Sequence, residues 1–413
     1  MRLEHRLHQL IEKQASNYLG VLRDLVAIPS VLGDEGAVQR RVKEHLLDLG
    51  VFEREVFAIT NPPFVPSGRS YEGRPCVVGR LPGCGNRQFI LNAHADTAPV
   101  EDATSWMYPP FAAEIADGKL YGRGALDDKA GLAMMLLIAE CLRKADVQLP
   151  GDVILESVIE DEDTGNGTLA CTEAGYRADA AIVIDGTWPF RIIDAHLGQI
   201  WVRFEIAGIA AASCSCRRGL NPIGIVSDLT RRVEDWVAEQ NRSQEQWLNI
   251  SQPFFVNVGT IQSGCWPGAV PEKATIDLQI GFPPPWTPES LFAECGQIAR
   301  SVQEREPRCR IEARRGSLWT PPHAHVNNAI VKIMKRTIQR LRPGEMEPIN
   351  QAVMGHCDLR NLRRAAGAVK TRVGQRAVGG GNPHAPDEFY QVEHFVPVAQ
   401  NIVSAMLDFH ALV

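Results

Sequence analysis

The sequence lacks a long apolar run. No stretch is long enough to span a bilayer, and residues 1–27 mix Arg, Glu, His and Lys with leucines instead of forming the apolar segment of a signal peptide. The ten cysteines include no CxxC pair, because the closest two, Cys214 and Cys216, are one residue too near each other. A cysteine-based zinc site is not expected. These absences predict a cytoplasmic protein with reduced thiols and no membrane partner.

The sequence also lacks a block of basic residues. Its net charge of −6 comes from 43 Lys and Arg and 49 Asp and Glu that are spread along the chain, so a nucleic-acid partner is not expected. The apolar fraction of 45% and the charged fraction of 22% are ordinary for folded proteins. A chain of 413 residues exceeds what one core usually organises, which predicts two domains.

Strands alternate with helices in the first half of the chain. Apolar residues at helical spacing predict amphipathic helices within residues 12–49, and the nearly all-apolar stretch 129–142 predicts a buried helix. Short apolar runs at 89–91, 153–159 and 180–184 predict buried strands. This alternation is typical of an α/β fold with a mostly parallel sheet covered by helices.

The pattern changes after about residue 198. A strand, a helix, two strands, a helix and a strand then follow, at residues 201–206, 225–237, 254–261, 274–280, 291–302 and 309–313. The helix at 395–409 returns to the first unit. We therefore predict one domain formed by residues 1–197 and 316–413, with a smaller α+β domain, residues 198–315, inserted in it.

Acidic and histidine residues cluster where the strands of the first domain end. His94 and Asp96 follow the first of these strands two residues apart, so both side chains can face one site. Ligands of open α/β sheets bind at the carboxyl ends of strands. The other candidates are Asp127-Asp128 before the buried helix, the run Glu160-Asp161-Glu162-Asp163, Asp185, and His384 in the stretch GGGNPHAPDE.

Each cluster alone has an ordinary structural explanation. An HxD sequence is often a solvated loop, Asp127 can cap a helix, a run of acids is usually a solvated turn, and Asp185 can begin a β-turn. Four acidic clusters at one sheet edge, however, repel one another unless a cation neutralises them. Imidazole and carboxylate ligands suit Zn²⁺ or Mn²⁺, or Co²⁺, and two ions can share one carboxylate. We therefore expect one or two divalent metal ions.

The order of these motifs resembles the M20 metallopeptidase family. The motifs are His-x-Asp, GRGxxDxK, a pair of acids, a later acid and HxPDE, and they cover essentially the whole chain. That family includes acetylornithine deacetylases, succinyl-diaminopimelate desuccinylases, aminoacylases and carboxypeptidase G-type enzymes. The resemblance implies a catalytic αβα domain built from both ends of the chain and an inserted lid that commonly mediates dimerisation. We therefore expect a small-molecule substrate and a homodimer or higher homo-oligomer.

The resemblance also implies which residues bind the metal ions. His94 and Asp185 would bind one ion, Glu162 and His384 would bind the other, and Asp127 would bridge the two. Family members have a cis peptide bond after the bridging aspartate, so the Asp127–Asp128 bond is expected to be cis.

Three further roles follow from the resemblance. Asp96 would orient the His94 ring, and Asp161, directly before the ligand Glu162, would be the general base. Arg360, in GHCDLR, corresponds to a family arginine and would hold a substrate carboxylate, although a structural salt bridge fits its position equally well.

Three positions depart from the family pattern. The family base is a glutamate, whereas this chain has Asp161; in a register slipped by one residue, Glu160 would be the base and Asp161 a ligand. The lid histidine that stabilises the oxyanion is replaced by Ala212, and a lid arginine is replaced by Gln279. Candidates for a substitute donor are His196, His323, His325 and His356.

Three functions are compatible with these residues. The leading one is a metal-dependent hydrolase that cleaves a C–N bond of a small carboxylate-bearing substrate with metal-activated water. The second is an aromatic aminohydrolase, similar to 5-nitroanthranilate aminohydrolases, in which the developing charge enters the ring and needs no lid donor. The third is a catalytically inactive binding or scaffold protein, against which the complete ligand set argues. Loss of an oxyanion donor costs on the order of 10²–10³ in rate, so Ala212 argues against a routine deacetylase.

Overall fold

The computed structural model describes residues 2–57, 70–186, 191–244, 246–324, 328–344, 349–362, 368–371 and 381–411. Its helices are α1 (Arg2–Ala27), α2 (Gly36–Asp48), α3 (Lys129–Lys144), α4 (Asn166–Glu173), α5 (Pro222–Ser243), α6 (Pro288–Arg305), α7 (Ala329–Leu341) and α8 (Phe395–Ala411). Within these described ranges, every helix is too short or too polar to traverse a lipid bilayer.

The strands form a larger and a smaller unit. They are β1 (Phe52–Val56), β2 (Cys76–Leu81), β3 (Arg87–His94), β4 (Glu114–Ala116), β5 (Lys119–Tyr121), β6 (Gly151–Val158), β7 (Ala180–Val183), β8 (Arg191–His196), β9 (Gly198–Ala207), β10 (Ala211–Ala212), β11 (Phe255–Ser263), β12 (Ala269–Val270), β13 (Lys273–Phe282), β14 (Arg310–Thr320), β15 (His323–Ala324), β16 (Ile349–Val353), β17 (Ala368–Thr371) and β18 (Phe389–Gln391).

A nine-stranded sheet forms the centre of the larger unit. Its order is β1-β2-β6-β3-β7-β17-β8-β15, with β16 beside β8. Strands β6, β3, β7 and β17 pair in parallel in the middle, whereas β1, β2 and β15 pair antiparallel to their neighbours. The predicted α/β fold is thus confirmed, and its parallel strands lie at the centre of a mixed sheet.

Helices cover the sheet because its central strands are apolar on both faces. On one face, Phe89 and Leu91 pack in a core with residues of α1, α3 and α8; on the other, Ile90 packs in a core with Ala170 and Cys171 of α4. Helix α3 is buried over most of its length, as its apolar sequence predicts. Helix α8 contacts α1 and α3, so the two ends of the chain share one core.

The smaller unit is a four-stranded antiparallel sheet in the order β11-β13-β9-β14. The even-numbered residues of β9 and β13, such as Phe204 and Leu278, form a third core with α5 and α6. The odd-numbered residues point to the opposite face. The predicted order of strands and helices is confirmed here, with β14 running on to Thr320. The domain limits at 197/198 and 315/316 stay predictions.

Candidate metal centre and cleft

The acidic and histidine segments meet at one edge of the central sheet. Strand β3 pairs in parallel with β6 on one side and β7 on the other, with His94 opposite Val158. The carboxyl ends of these strands are therefore adjacent, and the segments that follow them carry Asp161 and Asp185. Asp127 lies just before α3, which packs against β3.

Asp127 contacts both predicted imidazole ligands, each with a different oxygen. Its Oδ1 lies 3.0 Å from His94 Nε2, and its Oδ2 lies 3.4 Å from His384 Nε2. His384 Nε2 is also 2.8 Å from Glu162 Oε1. The Asp127–Asp128 peptide bond is cis, which confirms the expectation.

The candidate ligand atoms form two groups, and within each group all atoms lie within 4.8 Å of one another. The first group is His94, Asp161 and Asp185, and the second is Asp127, Glu162 and His384. The structure therefore brings the five predicted metal ligands together. It also places Asp161, the predicted base, in the group around His94.

The charge of this cluster fits divalent cations. Burial raises the pKa of the Asp161 carboxyl well above its usual range, and the nearby Asp358 carboxylate raises it further. Among the described residues, the buried Asp161 Oδ1 has no hydrogen-bond partner. The Glu162 carboxylate raises the pKa of His384 to about 11 in spite of burial. A cation would relieve this concentration of negative charge, and nitrogen and oxygen ligands without thiolate suit Zn²⁺ or Mn²⁺.

Asp96 is fully buried and connects three parts of the cluster. Its Oδ1 accepts a hydrogen bond from the Asp161 N–H (3.2 Å), and its Oδ2 accepts one from the Glu162 N–H (3.1 Å). His94 Nδ1 lies 3.0 Å from the Asp96 carbonyl oxygen and 3.5 Å from Asp96 Oδ1. These contacts support the orienting role predicted for Asp96. They extend it to the backbone of residues 160–163, which we call the acidic turn.

Glu160 points away from the cluster. Its carboxylate accepts hydrogen bonds from Tyr71 Oη (2.8 Å), Arg74 Nη2 (3.0 Å) and the Thr164 hydroxyl. It belongs to neither group of candidate ligands and does not line the cleft described below. The geometry therefore disfavours the slipped register and leaves Asp161 as the acid that precedes the candidate ligand Glu162.

The structure argues against the predicted substrate contact of Arg360. This side chain is 3% exposed, and its Nη2 donates to the carbonyl oxygens of Asp161 (2.8 Å) and Asp163 (3.4 Å). Arg360 supports the acidic turn from inside the protein and is not among the residues that line the cleft. Its placement favours the structural alternative, because the guanidinium is buried in the protein and does not reach the cleft.

Glu388 is a site residue that the sequence reasoning missed. Its buried carboxylate accepts hydrogen bonds from the N–H groups of Leu126 and Asp127 (both 3.1 Å) and from Arg123 Nη1 (2.7 Å). Burial raises the pKa of Glu388 to about 7. Because Glu388 lies in the same HAPDE stretch as His384, it ties the His384 loop to the Asp127 loop. The last acid of the HxPDE motif was the signal for this role.

A cleft of about 360 Å³ opens at the cluster, and both sheets contribute to it. Gln199, Phe255 and Gln279 come from β9, β11 and β13, so the smaller sheet provides one wall of the cleft. The described lining residues are Leu126, Asp127, Asp161, Glu162, Asp185, Gly186, Gln199, Phe255, Gln279, Met354, Gly355, His356, Pro383 and His384. Ala212 is exposed and is not among them.

His356 is the candidate substitute donor that reaches the cleft. Its Nδ1 lies 2.9 Å from Gln199 Oε1, and its Nε2 lies 3.1 Å from the Asp161 carbonyl oxygen. Burial, together with the Arg360 charge, lowers the pKa of His356 well below its usual range. Both ring nitrogens face protein oxygens, so the ring is not free to bind an oxyanion.

The other candidate donors do not line the cleft in the described part of the chain. The rings of His196 and His323 stack with centroids 5.4 Å apart. His325 lies outside the described residues.

Comparisons with known proteins agree with this arrangement. The model of peptidase family M20/M25/M40 matches residues 90–408. Two curated relatives, from Bacillus subtilis (strain 168) and Halalkalibacterium halodurans, are both named N-formyl-4-amino-5-aminomethyl-2-methylpyrimidine deformylase. They are 44% identical over 253 residues and 43% identical over 250 residues, and each match covers 57% of this chain and 58% of the relative. The chain thus matches somewhat more than half the length of these relatives.

Solved structures share the fold over nearly the whole chain. The dipeptidase Dug1p from Saccharomyces cerevisiae has a TM-score of 0.78 at 13% identity. The match covers 99% of this chain and 98% of the Dug1p chain. Human carnosine dipeptidase 1 has a TM-score of 0.75 at 14% identity, and the match covers 99% of this chain and 100% of the carnosine dipeptidase chain. At such identities the likeness shows the fold alone.

Proposed function

Because this chain belongs to peptidase family M20/M25/M40, we propose that it is a metal-dependent amidohydrolase that removes the formyl group from a small heteroaromatic amine. The names of the two curated relatives support both the reaction and the substrate class. Deformylation cleaves a C–N bond with water, which is the reaction class expected from the motifs. The substrate in the relatives' name has no carboxylate, so the proposal replaces the carboxylate-bearing substrate of the sequence prediction with a neutral one.

The main structural support for the proposal is that Asp127 contacts two histidines. One carboxylate reaches His94 with Oδ1 and His384 with Oδ2, as a ligand shared by two neighbouring ions does. His94 and Asp185 would hold one ion, Glu162 and His384 the other. When bound, divalent ions of this kind polarise a carbonyl group and lower the pKa of the attacking water.

Asp161 is positioned to act as the general base. Its Oδ2 lies 3.9 Å from His94 Nε2, beside the residues that would hold the ions. Its N–H donates to Asp96, while its carbonyl oxygen lies 2.8 Å from Arg360 Nη2 and 3.1 Å from His356 Nε2. The backbone is therefore held on both sides, and the carboxylate can take a proton from water and pass it to the departing amine nitrogen.

A formyl group fits a site without the lid donor. The lid has Ala212 where relatives of the family have a histidine, and His356 is engaged with protein acceptors. The carbonyl carbon of a formamide bears hydrogen instead of a methyl group, so it is less hindered and more easily attacked than that of an acetamide. This higher reactivity offsets part of the rate that is lost without the lid donor.

Formate release tests the proposed reaction. We expect the enzyme to cleave N-formyl-4-amino-5-aminomethyl-2-methylpyrimidine with a kcat/KM about 10- to 200-fold higher than for its N-acetyl analogue, because one extra carbon has effects of this size in a fitted pocket. A coupled formate dehydrogenase assay, with acetate measured in parallel, gives both values. Equal or faster turnover of the acetyl compound would contradict the proposal.

Metal content provides a second prediction. The purified protein should contain one or two equivalents of zinc or manganese and lose activity to EDTA, as read by elemental analysis and formate release. Asp127→Asn should reduce the metal content at both positions, because one carboxylate serves both. The matched control Asp102→Asn, at a surface turn, should keep wild-type metal content. The metal mechanism would be ruled out if the purified protein contained no metal and EDTA left its activity unchanged.

An aromatic aminohydrolase is the second candidate, and Ala212 favours it. That reaction delocalises negative charge into the ring and needs no lid donor at the position of Ala212. It releases ammonia from 5-nitroanthranilate and no formate from a formamide, so assays of the two products separate the candidates.

The homodimer expected from the sequence remains part of the proposal. Light scattering of the purified protein tests it, with a monomeric mass as the contrary result.

A further inference from the structure

Gln279 lies on the wall of the cleft that the smaller sheet provides. Strands β13 and β9 are antiparallel neighbours, with Gln279 opposite Trp201 and Gln199 opposite Gly281. The even-numbered residues of these strands belong to the core of the smaller unit, so Gln279 and Gln199 both project from the other face of its sheet. They are diagonal neighbours there, and both line the cleft.

Hydrogen bonds fix the orientation of this glutamine pair. Gln199 Nε2 donates to the Met354 carbonyl oxygen (2.5 Å), and Gln199 Oε1 lies 2.9 Å from His356 Nδ1. Gln279 Nε2 donates to the same Gln199 Oε1 (2.6 Å). Because Gln199 contacts both Met354 and His356 of the segment that follows β16, it determines which end of the Gln279 amide faces it.

One N–H group and the carbonyl oxygen of Gln279 are left for a ligand. A glutamine amide has two N–H donors and one acceptor oxygen, and the contact with Gln199 uses one donor. Within the described residues, no other group hydrogen-bonds the Gln279 amide, and its side chain is half-buried in the cleft wall. It therefore presents a donor and an acceptor side by side.

Phe255 supplies an apolar surface next to this amide. Phe255 lies opposite Gly281 on β11, and a Cβ atom at Gly281 would lie only 1.9 Å from Phe255 Cε1. The ring therefore lies across the glycine, on the face that carries Gln199 and Gln279. A flat ligand ring can stack there, since aromatic pairs favour offset or edge contacts.

The charge of the cleft indicates a neutral ligand at this end. Its described lining residues include the carboxylates of Asp127, Asp161, Glu162 and Asp185 but no lysine or arginine. Gln279 stands where the family pattern has an arginine, and Arg360 is engaged inside the protein. Among the described residues at this end of the cleft, a substrate carboxylate would find no lysine or arginine.

We infer that Gln279 determines specificity by binding the edge of an aminopyrimidine ring, an inference that rests on the proposed deformylase function. Its Oε1 would accept a hydrogen bond from the exocyclic amino group, and its remaining N–H would donate to the adjacent ring nitrogen. The same pairing lets glutamine bind the amino and ring-nitrogen edge of adenine. The ring would lie against Phe255, with the formamide directed towards the metal cluster.

Two formamides and the variant Gln279→Met test this inference. N-formyl-4-amino-5-aminomethyl-2-methylpyrimidine has the ring edge, whereas N-benzylformamide carries the same scissile group without it. Gln279→Met should lower kcat/KM on the pyrimidine by about 10- to 100-fold, as expected for two lost hydrogen bonds, and leave N-benzylformamide near its wild-type value. Asn257→Leu, at the exposed residue opposite Gln279 on β11, is the matched control and should leave both substrates unchanged.

Titration calorimetry measures affinity without turnover. Its ligands are the two amine products, 4-amino-5-aminomethyl-2-methylpyrimidine and benzylamine. We expect Gln279→Met to weaken the first and not the second. If the variant lost affinity and kcat/KM equally for the pyrimidine and the benzyl compounds, or for neither, the inference would be overturned while the deformylase function would stand. If wild-type enzyme cleaves neither formamide, the proposed function fails, and the binding measurement alone decides whether Gln279 binds the ring.

Discussion

Replacing Asp161 with asparagine is expected to lower kcat by about 10²–10⁴-fold, the usual loss on removing a general base. The amide cannot take the proton of the attacking water. The expected metal content is that of the wild type, because His94, Asp127, Asp185 and the other ligands remain. Steady-state formate release and elemental analysis on the same preparation measure both quantities.

Glu160→Gln separates this assignment from the slipped register. The Glu160 carboxylate is held by Tyr71, Arg74 and Thr164, so its amide variant should lose stability but retain turnover per folded molecule. If Asp161→Asn abolished metal binding while Glu160→Gln kept the metal and lost turnover, Asp161 would be a ligand and Glu160 the base.

Replacing Arg74 with methionine is expected to cost about 3–5 kcal/mol of unfolding free energy, the typical loss when one partner of a buried ion pair is removed. Arg74 Nη2 lies 2.9 Å from Glu35 Oε1 and 3.0 Å from Glu160 Oε1, and both glutamates are fully buried. Burial already raises the pKa of the Glu35 carboxyl, and Arg74 opposes this shift. Without the guanidinium, the Glu35 and Glu160 carboxyl groups remain buried and lose their shared cationic partner. Urea unfolding monitored by circular dichroism measures the loss.

The exposed pair Arg203–Asp277 provides the control. Its guanidinium side chain is 52% exposed, so Arg203→Met should cost no more than about 1 kcal/mol. Adding Glu35→Gln and Glu160→Gln to Arg74→Met should recover part of the loss, because the buried charges are then removed as well. A cost for Arg74→Met no larger than that for Arg203→Met would show that the buried network adds little.

The positions of the metal-ligand candidates were predictable because they depend on strand ends. An apolar run followed by acids or histidine marks where a buried strand stops, and the carboxyl ends of neighbouring parallel strands meet. This reasoning correctly brought His94, Asp161 and Asp185 together. The metal-binding roles of Asp127 and His384 came from the order of the motifs, since nothing in the local pattern around His384 indicates which strand end its loop approaches.

The direction of side chains in the acidic turn was not predictable in the same way. Beyond the end of β6 the chain is irregular, so the alternation of faces no longer applies. Glu160 turns inward because Tyr71 and Arg74, almost ninety positions away in the sequence, bind its carboxylate. Arg360 is likewise oriented by the Asp161 carbonyl oxygen, a contact between residues that are 199 positions apart.

The sequence by itself determined three central strands of the larger sheet, the order of strands and helices in the smaller unit and the chemical type of the site, because hydrophobic periodicity and residue chemistry are local properties. Only the tertiary structure decided that Glu388 joins two loops, that Arg360 lies inside the protein, and that Gln199 and Gln279 face the metal cluster. These features depend on how the smaller sheet packs against the edge of the larger one. Contacts between residues far apart in the chain, which no local pattern records, set that packing.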